Sequence, residues 1–80
     1  MIFFTIKSDD SGTNKVLYPL IAVAKISEET DPHNEIRYTE IILSDGTQLK
    51  VQEPIEKVEE FFKKPKSFNE NHSFTNYELG

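Results

Sequence analysis

Apolar and polar positions alternate from the first residues of the chain. Ile2, Phe4 and Ile6 share one face of an extended segment over residues 1–7, and Phe3, Thr5 and Lys7 share the other. This predicts a strand. Asp9, Asp10, Ser11, Gly12, Thr13 and Asn14 follow, residue types that bond their own backbone or tolerate positive φ, so residues 8–15 are expected to be a turn. Val16, Leu17 and Tyr18 resume β-type residues, and the strand they form is expected to end, or to lie at an edge, at Pro19, which has no N–H to give a ladder. Residues 20–27 fit a strand with Ile21 and Val23 on one face and Ala22, Ala24 and Ile26 on the other, although Leu20, Val23 and Ala24 also fit a helical turn. Residues 28–35 are polar and contain Asp31-Pro32, which predicts a connection.

The clearest pattern is a hairpin over residues 36–52 around Ser44-Asp45-Gly46-Thr47. A two-residue loop at Asp45-Gly46 would set Glu40 beside Val51 on the buried face, a carboxylate with no partner. A three-residue loop with Gly46 left-handed pairs Ile41 with Leu49, Leu43 with Thr47 and Glu40 with Lys50. The second register is therefore expected, with Ile41, Leu43, Leu49 and Val51 in the core. Tyr38, Glu40, Ile42, Lys50 and Gln52 then fall on the opposite face. A helix over 54–64 follows, with Pro54 at its first position and Ile55, Val58, Phe61 and Phe62 forming one stripe. Glu56 and Lys63 suit the helix dipole, and Pro65 ends the run. Residues 66–80 carry Phe68, Phe74 and Tyr77 among polar residues and predict either one late strand or a tail that orders against a partner. The expected fold is thus α+β: one small, mainly antiparallel sheet with a single C-terminal helix packed on one face, a domain over 1–65 and a tail over 66–80.

Length makes that core scarce. The chain has 80 residues, of which 36% are hydrophobic, so nearly every large apolar side chain is needed inside. There is no cysteine, which excludes disulfides and thiolate chemistry and suits the cytoplasm. The longest apolar run, residues 20–24, is far short of the roughly 20 residues that cross a bilayer. The segment 1–7 lacks the length and basic flank of a signal peptide, so neither membrane insertion nor secretion is expected. Net charge is −5, and residues 26–62 hold ten acids against Arg37, Lys50 and Lys57. That balance disfavours nucleic acid, whose phosphates call for a clustered basic face; Lys63, Lys64 and Lys66 are the only such group.

Candidate chemistry is thin. His33 and His72 have no second nitrogen ligand at helical spacing, and residues 9–14 lack the alternating ligands and closing glutamate of a calcium loop, so no metal is expected. With three glycines there is no phosphate-cradling element, and no cofactor or small-molecule substrate is expected. Glu56, Glu59 and Glu60 read as a solvated helix face rather than an acid–base pair, and the serines are confined to turns and tail, so no catalytic residue is assigned. Asn71-His72-Ser73 matches a glycosylation acceptor but has no secretory signal beside it. What remains is surface. Phe3, Tyr38 and Ile42 fall on the face opposite the core, to be covered either by Phe68, Phe74 and Tyr77 folding back or by another chain. The expected partner is a protein or a second copy, and the expected contact residues are Phe3, Tyr38, Ile42, Phe74 and Tyr77.

Two resemblances bear on function. Leu20-Ile21, Lys25-Ile26-Ser27-Glu28-Glu29-Thr30, Ile41-Ile42-Leu43-Ser44-Asp45-Gly46-Thr47 and Val51-Gln52-Glu53-Pro54-Ile55-Glu56-Lys57-Val58 together resemble the FlbD-like flagellar family. The resemblance implies a strand, an acidic turn, a glycine-turn hairpin and a Glu-rich helix start in a small regulatory protein, with no catalytic residue. Phe68, His72 and Asn76, after a hairpin and short helix, are similar to a strand of LytTR-type β-rich domains. That resemblance implies DNA binding, the alternative to a non-enzymatic protein-interaction or regulatory module.

Overall fold

The computed structural model of the chain describes residues 2–8, 15–64 and 72–80. Its elements are β1 (Phe3–Lys7), β2 (Lys15–Pro19), a 3-10 turn (Leu20–Ala22), β3 (Val23–Thr30), β4 (Arg37–Leu43), β5 (Gln48–Val51), α1 (Ile55–Lys63) and β6 (His72–Thr75). The expected turn at 9–14, Pro65, Lys66, Phe68 and Asn71 lie outside the described residues.

Two three-stranded sheets form in place of the single sheet expected, in the orders β2-β1-β6 and β3-β4-β5. β1 pairs antiparallel with β2, Phe4 opposite Tyr18 and Ile6 opposite Val16. On its other edge β1 pairs parallel with β6, Phe4 opposite His72 and Ile6 opposite Phe74. The break between the sheets falls where Pro19 ends β2 at a sheet edge and the chain turns through Leu20–Ala22. Both expectations for residues 20–27 therefore hold in part: a short helical turn comes first, then a strand whose register shifts between Val23 and Lys25. The shift re-aims the side chains. Ala22, Val23 and Ile26 pack against the core, whereas Ile21 is exposed. β3 also runs on to Thr30, leaving a shorter connection than residues 28–35.

The hairpin takes the expected register, Ile41 opposite Leu49 and Glu40 opposite Lys50. Leu43 N–H donates to the Thr47 carbonyl at 2.9 Å, and Gly46 is left-handed with φ 91°. The helix forms from Ile55, one position after the expected start, because Pro54 takes extended geometry with ψ 154° just ahead of it. Val58 and Phe61 are buried and Phe62 packs against the same core.

Within residues 66–80 the structure describes 72–80. Of the two expectations the strand forms, and it is part of the core, so the helix is followed by β6 rather than ending the fold. Phe74 is fully buried, 6.0 Å from Phe4 and 5.9 Å from Phe61 between ring centroids. Phe4 sits at the centre of this cluster, also touching Tyr18 and Phe62 at 5.7 Å. Phe74→Ala should cost about 3–5 kcal/mol, as for other buried phenylalanines, read as a lower urea midpoint; a loss under about 0.5 kcal/mol, typical of surface positions, would show that β6 is not core.

Candidate functional site

Past β6 the chain does not leave the body of the protein. Asn76 N–H donates to the Lys7 carbonyl, Gln52 N–H to the Thr75 carbonyl and Tyr77 N–H to the Lys50 carbonyl, each at 2.8 Å. Residues 75–77 are thus held by β1 on one side and by the end of β5 on the other, with Val51 bridged to Asn76. Glu53 reinforces the junction: its carboxylate accepts the Thr75 N–H at 2.8 Å and the Thr75 hydroxyl at 3.1 Å. The Glu53 carbonyl accepts the hydroxyl of buried Thr39 at 2.8 Å.

The register places Tyr38, with Glu40 and Ile42, on the face of the second sheet away from Ile41 and Leu43, as expected. Tyr38 is nevertheless only 7% exposed, because the ring of Tyr77 lies flat on it with centroids 4.8 Å apart and planes within 7°. The Tyr77 hydroxyl donates to Asp31 Oδ2 at 2.6 Å. Asp31 is 0% exposed and both its oxygens are used: Oδ1 accepts the His33 N–H at 2.9 Å, and Oδ2 also accepts the Gly80 N–H at 2.8 Å. The turn presenting Asp31 is closed by Asp31 N–H to the Ile36 carbonyl and Glu35 N–H to the Asp31 carbonyl. Within that turn Glu35 has φ 62°.

These donors set the charges. The Gly80 N–H, then the Tyr77 hydroxyl, then the His33 N–H hold the Asp31 carboxyl at about 2, below the ordinary 3.8. The hydrogen bond to Asp31, then burial, raises Tyr77 above the ordinary tyrosine value. Burial, then the charges of Glu29, Glu40 and Asp31, raises Tyr38. Near neutral pH the carboxylate stays ionised and both phenols stay protonated, so the cluster anchors residues 77–80 rather than moving a proton. Among the described residues no group of His, Cys, Asp and Glu is placed to hold a metal ion.

The expected contact residues therefore separate. Tyr38 and Tyr77 cover one another, and Phe74 is in the main core, so the first and last of these three are not the exposed contacts expected. Ile42 is half-buried, opposite Lys25 on β3 and Gln48 on β5. Phe3 remains 37% exposed. It shares the outer face of the first sheet with Leu17, which is 55% exposed and stands opposite Thr5, the next residue of β1 on that face. Leu17, Asp31 and Glu53 were missed as site residues. The alternation of residues 1–7 marks the outer face, but only the pairing of β1 with β2 puts Leu17 on it. For the nucleic-acid alternative, Lys63 is paired with Glu59 at 2.6 Å and Lys64 is exposed.

No family model, curated protein or solved structure matches the chain. No helix among the described residues is long and apolar enough to cross a membrane.

Because the folded Asp31 carboxyl lies below its ordinary value, its stabilising effect is complete above about pH 4 and is lost as pH falls toward about 2. Asp31→Asn should accordingly be less stable than wild type at pH 7, and the gap should close over that acid window in urea titrations. A gap that stays constant with pH would show that Asp31 does not carry this linkage.

Proposed function

We propose that this chain is a non-enzymatic protein-interaction module of a reducing, cytoplasmic compartment, docking a polypeptide on the outer face and free edge of its first sheet. The observation that carries this is the placement of Phe3 and Leu17. They are apolar, exposed and diagonal to one another across β1 and β2, and among the described residues β2 is an edge strand of its sheet. Large apolar side chains placed together beside an unpaired backbone edge are the elements of strand addition. Tyr38 and Phe74 serve the interior instead and half-buried Tyr77 covers Tyr38, which leaves Phe3, with Leu17 added, as the centre of the contact and Ile42 as a separate half-buried position. The FlbD-like resemblance, which implies a regulatory protein without a catalytic residue, accords with this function. No observation favours the nucleic-acid alternative specifically.

The test compares immobilised wild type with a Phe3→Ser, Leu17→Ser double variant in cytosolic extract, with and without nuclease treatment. The variant should retain its melting temperature within a few degrees, since exposed substitutions usually stay within about 0.5 kcal/mol each. Polypeptides bound stoichiometrically by wild type should be lost from it. Equal retention by both proteins would remove the surface from consideration, and recovery that vanishes with nuclease would favour nucleic acid.

A further inference from the structure

The backbone of β2 restricts what can pair with it. Leu20 N–H donates to the Ile2 carbonyl at 2.8 Å. In the same antiparallel register, Tyr18 and Val16 then turn their polar groups toward β1 at Phe4 and Ile6. Lys15, Leu17 and Pro19 must turn theirs outward, and Pro19 has no N–H. The edge that no described residue pairs with therefore offers a donor and an acceptor at Lys15, the same at Leu17, and an acceptor alone at Pro19. Pro19 ends any added ladder at that side.

The side chains of these residues share the outer face with β1: Pro19 opposite Phe3, Leu17 opposite Thr5, Lys15 opposite Lys7. The last is a directly opposed pair of like charges, which is destabilising in a sheet. A carboxylate brought in beside Lys15 would relieve it, while a residue beside Leu17 meets an apolar surface. Resting on the docking function proposed above, we infer that the occupant is an extended segment of a protein partner with an apolar residue and an acidic residue two positions apart, added to β2 as a fourth strand. A second copy of this chain fits less well. Its own β2, Lys15–Pro19, carries no acidic residue to set beside Lys15, so two β2 edges meeting would add lysine to lysine. It would also bring together two molecules of net charge −5.

The probe is a fluorescein-labelled nine-residue peptide alternating valine and threonine, with glutamate at two successive outward positions of one end, and a control carrying lysine there. In anisotropy titrations the glutamate peptide should bind wild type better than the control. Lys15→Glu should weaken it about five-fold and should reverse the preference toward the lysine peptide. N-methylation at the alternate positions whose N–H groups face β2 should abolish binding, and N-methylation at the intervening positions should not. Binding indifferent to Lys15→Glu, or indifferent to N-methylation, overturns the acidic-strand inference. If such binding is still lost in the Phe3→Ser, Leu17→Ser variant, docking at the face itself survives. Peptide binding that the double variant leaves unchanged overturns both. A dimer in sedimentation equilibrium that Leu17→Pro dissolves would identify the occupant as a second copy and also overturn the inference.

Discussion

Residues 75–77 are hydrogen-bonded on both sides, to Lys7 of β1 and to Lys50 and Gln52 at the end of β5, and much of the remaining structure follows from that closure. The two three-stranded sheets share one set of buried side chains. The β2-β1-β6 sheet contributes Phe4, Ile6 and Phe74, and the β3-β4-β5 sheet contributes Ile41, Leu43 and Val51. Joined along β6 and capped by Val58 and Phe61 of α1, they enclose one core. The parallel pairing of first and last described strands means that this core closes only when the end of the chain returns to its beginning.

Two carboxylates hold that returning segment, and both do so by accepting hydrogen bonds rather than by ion pairing. Glu53 takes the backbone and hydroxyl of Thr75; Asp31 takes the Tyr77 hydroxyl and the Gly80 N–H. Charge-assisted bonds of this kind are stronger than neutral ones, and they offset the desolvation of a buried carboxylate. Among the described residues no buried side-chain polar atom lacks a partner. The same satisfaction that makes Asp31 a good anchor makes it a poor base, because a carboxyl at about 2 has little affinity for a proton near neutrality.

With the tail folded onto Tyr38, part of the apolar surface of the second sheet's outer face is spent internally. Val16, Ile21, Ile36 and Leu79 meet solvent elsewhere, and Phe3 and Leu17 still meet it on the first sheet's outer face. The edge beside it is not an open template. Pro19 removes a donor and Lys7 and Lys15 place opposed charges at its other end, devices that limit indiscriminate strand pairing. A partner must therefore match a short window in both hydrogen bonding and charge, which favours selectivity over tight binding.

Local pattern was enough for the elements that depend on local physics. Alternation placed β1, the cost of burying Glu40 without a partner chose the hairpin register, and Pro54 with the Ile55, Val58, Phe61 and Phe62 stripe located the helix to within a residue. Residues 20–27 were less legible because two short periodicities fit them equally; the chain uses a helical turn and then a shifted strand. The candidate site was legible only at Phe3. That Tyr38 belongs to the outer face followed from its parity, but its cover by Tyr77 did not, since the two are brought together by an aspartate in a distant turn. Likewise Phe74 differs in no local feature from a tail aromatic, and only its register against Ile6 buries it. The sequence by itself determined β1, the hairpin around Gly46 and the helix, which arise from neighbours along the chain. Tertiary structure alone decided two sheets over one, strand over tail, and which aromatics face water, because those depend on contacts whose partners are far apart in sequence.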